Sequence, residues 1–195
     1  MITYKRRKRS KAPLIIAIVA VAAALLTVAG FFGYNEYLHN AYPIKYQNYV
    51  EKYAAENHLN KYFVYAVIKT ESGFNPSAES NVGARGLMQI MEDTFDWIKF
   101  KMDDDDAVYN DMYDAETNIR YGCMLLGYLM DEFGSVEVAA AAYHAGRGNV
   151  NSWLDDKRYS RDGVHLDTIP ISDTAHYVDK ITKAMDKYIM LYSDN

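Results

Sequence analysis

The sequence predicts an all-α fold preceded by one long apolar helix. Three observations carry this. Apolar residues recur at helical spacing through most of residues 44–195, and no segment shows sustained alternation of apolar and polar residues. Asn, Asp, Ser and Gly stand where helices would start and stop.

The first element is the apolar run. Leu14 to Gly33 is 20 residues without a charge, and a helix of that length reaches about 30 Å, the thickness of a bilayer core. Lys5, Arg6, Arg7, Lys8, Arg9 and Lys11 precede it with no acid among them. The positive-inside tendency then puts the N-terminus in the cytoplasm and the remainder outside. The expected organisation is a cytoplasmic basic tail (1–12), a transmembrane anchor (13–34), a juxtamembrane linker (35–43) and one extracytoplasmic domain (44–195). A cleaved signal peptide, with Thr27-Val28-Ala29 as its cleavage triplet, is the competing reading. The length of the run and its extension through Phe31-Phe32 favour the uncleaved anchor.

Within the domain, Tyr46, Tyr49, Val50 and Tyr53 give one helical stripe. Asn60 is placed to cap a second helix running to about Ser72, with Phe63, Val64, Val67 and Ile68 on one face. Asp114 caps a third, striped by Ile119, Cys123, Leu126, Met130 and Phe133 and stopped by Gly134. Val136 to His144 reads as an Ala-rich helix, and Asn149 to Leu154 as a short one. Ser172 or Asp173 is expected to cap a last helix carrying Tyr177, Ile181, Ala184, Met185 and Tyr188. At most a small hairpin is expected among them.

Composition removes several functions. Six of the 21 basic residues lie in the N-terminal tail, so the remaining fifteen face all 26 acids, a balance of about −11. A body so acidic does not suit nucleic-acid binding, which works by neutralising phosphates. Cys123 is the only cysteine, which excludes an internal disulfide, and its apolar setting makes it a small core residue. The run Asp103–Asp106 lacks the central Gly and terminal Glu of a calcium-binding EF-hand loop and reads as a solvated loop. No His-Glu-x-x-His pair supports zinc. No metal and no cofactor is expected.

The residues that point to chemistry begin at Glu71. It stands at the C-terminal end of the second helix, where the helix dipole disfavours a carboxylate, and beside apolar residues such as Phe74. Both effects raise a carboxyl pKa toward the range a general acid needs. Gly73, Asn75-Pro76, Asn81, Gly83 and Gly86 follow, a cluster that fixes a structured loop. Gln89 lies in the apolar run Leu87-Met88-Gln89-Ile90-Met91, so its amide needs a partner, backbone or ligand.

These residues carry a resemblance. Glu71, Ser72, Phe74, Pro76, Ala78, Ser80, Gly83, Ala84, Gly86, Leu87, Met88 and Gln89 follow the pattern Glu-Ser-x-Phe-x-Pro-x-Ala-x-Ser and Gly-Ala-x-Gly-Leu-Met-Gln of the soluble-type lytic transglycosylases. Asn118-Ile119 with Gly122 and Tyr128-Leu129, then Ala142-Tyr143-His144-Ala145-Gly146, then Ile169-Pro170 with Asp173-Thr174 and Tyr177-Val178 resemble that family's later motifs in order. The resemblance spans roughly residues 45–190. It implies a lysozyme-like helical domain over 44–195 that cuts the β-1,4 bond between N-acetylmuramic acid and N-acetylglucosamine in peptidoglycan. It implies Glu71 as the acid and then the base, and Tyr143 as its supporting catalytic residue. It implies Ser72, Met88, Gln89, His144, Asp173 and Tyr177 as substrate-binding residues, and a 1,6-anhydro product formed without water. The partners implied are glycan strands and, through residues 13–34, the cytoplasmic membrane.

Three positions depart from the family pattern. His144 stands for Asn, Asp173 for Glu, and Glu92 for a common Pro. Two other readings stay open on the sequence: a lysozyme-type hydrolase that uses water, and a catalytically silent peptidoglycan-binding module.

Overall fold

The computed structural model describes residues 12–193, with side chains from residue 20 onward. The chain divides into two compact units, with the boundary between Pro43 and Ile44. The first contains α1 (Ala12–Ala41), a helix of 30 residues. Val21, Leu25, Leu26, Val28, Phe31 and Phe32 are all exposed on it. Among the described residues no helix is long and apolar enough to cross a membrane. The first residues of the expected 13–34 span have side chains outside the described set, and the basic tail lies outside it apart from the backbone of Ala12.

The second unit is built from α2 (Gln47–Glu56), α3 (Lys61–Ser72), α4 (Glu92–Lys101), a 3-10 turn (Tyr109–Tyr113), α5 (Ala115–Phe133), α6 (Val136–Ala145), α7 (Arg147–Leu154) and α8 (Ser172–Tyr192). The expected caps at Asn60 and Asp114 are present, accepting from Tyr62 N at 2.9 Å and Thr117 N at 2.9 Å. Gly73 (φ +58°) and Gly134 (φ +65°) end the same two helices in the left-handed region that glycine adopts readily.

Several expectations are corrected. Helix α8 starts at Ser172 with Ile171 in the cap position and no side-chain cap, so Ser172 and Asp173 are first-turn residues. Helix α7 starts at Arg147, two residues before the Asn149 expected, because Gly146 turns the chain with a positive φ of 89°. Helix α4 and the 3-10 turn were not expected. The possible hairpin reduces to isolated bridges, Glu79 with Arg85 and Arg85 with Ile90.

Helix α3 is the most enclosed element. Phe63 through Ile68 are buried in succession, because α8 and α2 both pack on it. Tyr65 stacks on Tyr188 of α8 with ring centroids 5.4 Å apart. Helix α5 crosses the unit and touches α2, α4, α6 and the 3-10 turn. Burying a large apolar side chain contributes about 1.5–3 kcal/mol, so these two helices are major contributors to the core, with α6 and α8 beside them. Cys123 lies fully buried on α5, and burial pushes its thiol pKa up. In the acidic run, Asp104 pairs with Arg120 at 3.0 Å, while Asp103, Asp105 and Asp106 are exposed.

Residues 73–91 form no regular element, yet several of their backbone groups are paired with side chains and with one another. Asn118 of α5, fully buried, does much of this. Its Oδ1 accepts from Met88 N at 2.8 Å, and its Nδ2 donates to Met112 O at 2.8 Å and Arg85 O at 3.0 Å. Gly86 (φ +77°) leaves room for that amide, since a Cβ there would collide with Met112 O and Asn118 Nδ2. Gly122 does the same for the Met88 side chain.

Asn118→Ala is expected to lower stability by about 2 kcal/mol or more, because it strands Met88 N and Met112 O at about 1–3 kcal/mol each, while Arg85 O keeps its bond from Ile90 N. Chemical denaturation measures this, and an unchanged midpoint would remove Asn118 from the loop's support.

Candidate active site

Three elements bring polar groups to one place. The last turn of α3 supplies Glu71 and Ser72, the C-terminal half of α6 supplies Tyr143 and His144, and the first turns of α8 supply Thr174 and Tyr177. They meet because α8 packs on both α3 and α6. Thr174, Tyr177, Val178 and Ile181 form the buried stripe of α8, and this turns Tyr177 inward.

The closest contact at Glu71 comes from Tyr177. Its hydroxyl donates to Glu71 Oε1 at 2.6 Å across 106 positions of sequence. Burial pushes the Glu71 pKa up to about 7, while the Tyr177 hydrogen bond pulls the other way. Burial dominates because a carboxylate loses more solvation than one donor returns. Among the described residues no second carboxylate contributes to this shift. The Tyr177 hydroxyl is itself pushed up by burial and then by the Glu71 and Tyr143 groups beside it, so it stays a donor.

Tyr143 stands near the carboxyl without bonding to it. Its hydroxyl donates to Met88 O at 2.6 Å. Burial first, and Glu71 second, hold its pKa well above the usual phenol value. Ser72 behaves similarly, with its Oγ donating to Leu87 O at 2.8 Å and near Ile68 O at 3.2 Å. Two consecutive carbonyls, Leu87 and Met88, are therefore fixed from α3 and α6. Met88 is fully buried. Gln89 Nε2 donates to Gly86 O at 2.9 Å and Ala78 O at 3.1 Å, so the amide's donor closes the loop on itself.

His144 flanks Tyr177, with ring centroids 4.6 Å apart, and its Nδ1 lies 3.1 Å from Thr174 Oγ1. Partial burial pushes its pKa below the usual value, against the pull of the Asp173 carboxylate. Asp173 itself is exposed on the first turn of α8. The structure thus gathers Glu71, Tyr143, Tyr177 and His144, sets Ser72, Met88 and Gln89 in the supporting loop, and leaves Asp173 at the rim. Phe74 packs toward Tyr65, centroids 6.4 Å apart.

A groove of about 800 Å³ runs between α4, α5 and the α6–α7 junction, with Tyr143, Trp97 and Tyr128 among its lining residues. Trp97 was not anticipated as a site residue. Its signal in the sequence is a lone Trp set among charged residues of Glu92–Lys101.

The chain resembles known proteins in sequence and fold. Residues 48–164 match the family model described as Transglycosylase SLT domain. The soluble lytic murein transglycosylase of Escherichia coli (strain K12) is 33% identical over 156 residues, covering 78% of this chain and 24% of its own. A membrane-bound lytic murein transglycosylase C of Actinobacillus pleuropneumoniae is 30% identical over 170 residues, covering 74% of this chain and 46% of its own. Among solved structures, an inactive glutamate-to-glutamine mutant of lytic transglycosylase Slt from Pseudomonas aeruginosa superposes with a TM-score of 0.69 at 31% identity, over 76% of this chain and 24% of that one. The 70 kDa soluble lytic transglycosylase of Escherichia coli gives 0.70 at 28% identity, over 78% and 25%. The chain spans about a quarter of the length of these soluble relatives.

A carboxyl whose pKa rises on folding stabilises least when it must be charged. Below the free value of 4.5 the group is neutral in both states. The cost grows as pH rises from there to about 7 and is complete above it. Glu71→Gln is expected to raise Tm by a few degrees at pH 8, with the gap closing near pH 4. Calorimetry across that range tests it, and a gap independent of pH would remove the buried-charge account.

Proposed function

Because the chain belongs to the Transglycosylase SLT domain family, we propose that it is a peptidoglycan lytic transglycosylase cutting the β-1,4 bond between N-acetylmuramic acid and N-acetylglucosamine. The observation that carries the mechanism is the Glu71 carboxyl, with its pKa pushed up to about 7 and a tyrosine hydroxyl 2.6 Å from one oxygen.

Glu71 in its protonated form gives its proton to the glycosidic oxygen as the bond from C1 breaks. The carboxylate left behind accepts the C6 hydroxyl proton of the muramyl residue while that oxygen bonds to C1. The acid is restored, the product carries a 1,6-anhydro ring, and no water enters. A pKa near 7 suits a group that must give and then take a proton in neutral solution. The Tyr177 hydroxyl steadies the carboxylate between the two steps. The absence of a second carboxylate acting on Glu71 among the described residues fits a substrate that carries its own nucleophile, since hydrolases commonly pair two carboxyl groups across the bond. Tyr143, by fixing Met88 O, positions the loop rather than the proton. His144 and Tyr177 line the sugar side, with Asp173 at its edge and Ser72, Met88 and Gln89 shaping the floor.

The second part of the proposal is location. The uncharged run from Leu14 to Gly33, within one continuous helix that exposes Val21, Leu25, Leu26, Val28, Phe31 and Phe32, supports a single membrane anchor with the domain outside the cytoplasm. An apolar surface of that size calls for cover.

Digestion of purified sacculi is expected to give anhydromuramic ends, and Glu71→Gln to lower turnover at least a thousandfold while leaving binding intact. Reducing ends would transfer the reading to a hydrolase. The alkaline limb of activity should lie near pH 7, where the Glu71 proton is lost. Tyr177→Phe removes the one bond that lowers the Glu71 pKa, so this limb should move to higher pH as kcat falls. A limb that stays in place would separate Tyr177 from the acid.

A further inference from the structure

We infer that His144 is a positioning residue: it clips Tyr177 of α8 to α6 and so fixes the hydroxyl that meets Glu71. This rests on the reading of Glu71 as the acid and deepens it by one residue behind the donor.

The clip has two contacts. The His144 ring lies against the Tyr177 ring, centroids 4.6 Å apart at 31° between planes. Its edge meets Thr174, with Nδ1 3.1 Å from Oγ1. Thr174 and Tyr177 are three positions apart in α8 and share its buried face, so one imidazole engages both. Thr174 is 1% exposed and Tyr177 7%, while His144 closes over them from an exposed position on α6. A buried hydroxyl needs a partner, and His144 supplies one to Thr174.

The position of the phenol oxygen matters to the acid. It lies 2.6 Å from Glu71 Oε1, at the far end of a long side chain, where a small tilt of the ring takes it out of hydrogen-bond range. Packing of α8 on α3 and α6 sets the backbone, and the tilt is left to the side chains against the ring. An imidazole suits this place because it offers a flat face to the phenol and a nitrogen to Thr174. The Asn of the family pattern would offer an amide and no ring. Partial burial lowers the His144 pKa against the pull of Asp173, the charged group that acts on it among the described residues. The phenols of Tyr143 and Tyr177 beside it are neutral. Near pH 7 the imidazole is therefore neutral as well, and it bears on Glu71 through the geometry of Tyr177 and not through charge.

The test titrates the Glu71 carboxyl by NMR in the full chain in detergent, with Glu71→Gln identifying its signal. His144→Ala should raise the midpoint by about 0.5 in pH or more, the direction expected for Tyr177→Phe. Thr174→Val removes the hydroxyl of a residue too buried to touch a sugar, and it should move the midpoint the same way. His144→Ala made in the Tyr177→Phe chain should move it no further. On glycan strands, His144→Ala and Thr174→Val should each lower kcat at least fivefold and change KM less than twofold. A midpoint unmoved by both variants overturns the assignment. So does a KM that rises while kcat and the midpoint stay in place, the mark of a sugar contact. A further rise in the Tyr177→Phe chain overturns it too, since His144 would then reach Glu71 by another route. If wild-type chain leaves sacculi uncut while the midpoint shifts appear, the enzymatic reading fails and the clip stands. If sacculi are cut while both variants leave the midpoint in place, the clip alone fails.

Discussion

One buried amide sets the geometry of the site. Asn118 replaces a stretch of secondary structure: one side chain satisfies Met88 N, Arg85 O and Met112 O inside the core, where an unpaired backbone group would cost about 1–3 kcal/mol. The loop could not lie against α5 without it, because it has no ladder of its own beyond two isolated bridges. The glycine at 86 follows from the same constraint, since the amide occupies the space a Cβ would need. So does the glycine at 122, which receives Met88. The position of the loop then fixes where Ser72 and Tyr143 can place their hydroxyls.

The two tyrosines near Glu71 consequently have different work. Tyr177 meets the carboxyl directly, and Tyr143 holds the loop through a carbonyl. Their phenols are both kept neutral by burial, Glu71 raises each further, and Tyr143 adds to the rise at Tyr177. A neutral donor beside a carboxyl moderates the effect of burial without cancelling it. Without burial only the lowering by the donor would remain, and the acid would titrate at or below its free value. The balance of these two opposed effects places Glu71 near neutrality.

Much of this was legible in the chain, and the illegible parts have physical causes. Asn60 and Asp114 announce helix starts because their side chains have a local partner two or three residues on. Helix α4 escaped notice because only Phe95 and Ile98 are buried on it, too sparse an apolar stripe to stand out, and Met91 caps it without a side-chain bond. Ser172 and Asp173 are good capping residues, but Ile171 takes the cap position one residue earlier without a side-chain bond. Glu71 was readable from its place at a helix end before a glycine-marked loop. Its hydroxyl partner was not, because choosing between Tyr143 and Tyr177 depends on how α6 and α8 sit against α3. Trp97 shows the same limit, since whether a ring on a charged helix faces solvent or a groove is decided by Tyr128 on another helix.

The loop from Gly73 to Met91 also bears on the thermodynamics of association. Several of its donors are already engaged: the Gln89 amide with Gly86 O and Ala78 O, Ala84 N with Ser80 Oγ, Arg85 N with Ile90 O. Ordering a flexible segment on binding costs about 0.5–1.5 kcal/mol for each side chain immobilised. Here that conformational entropy is lost when the chain folds, so a strand meeting the loop finds a floor whose shape is already settled. Selectivity at this floor is then a matter of fit to a surface set by folding.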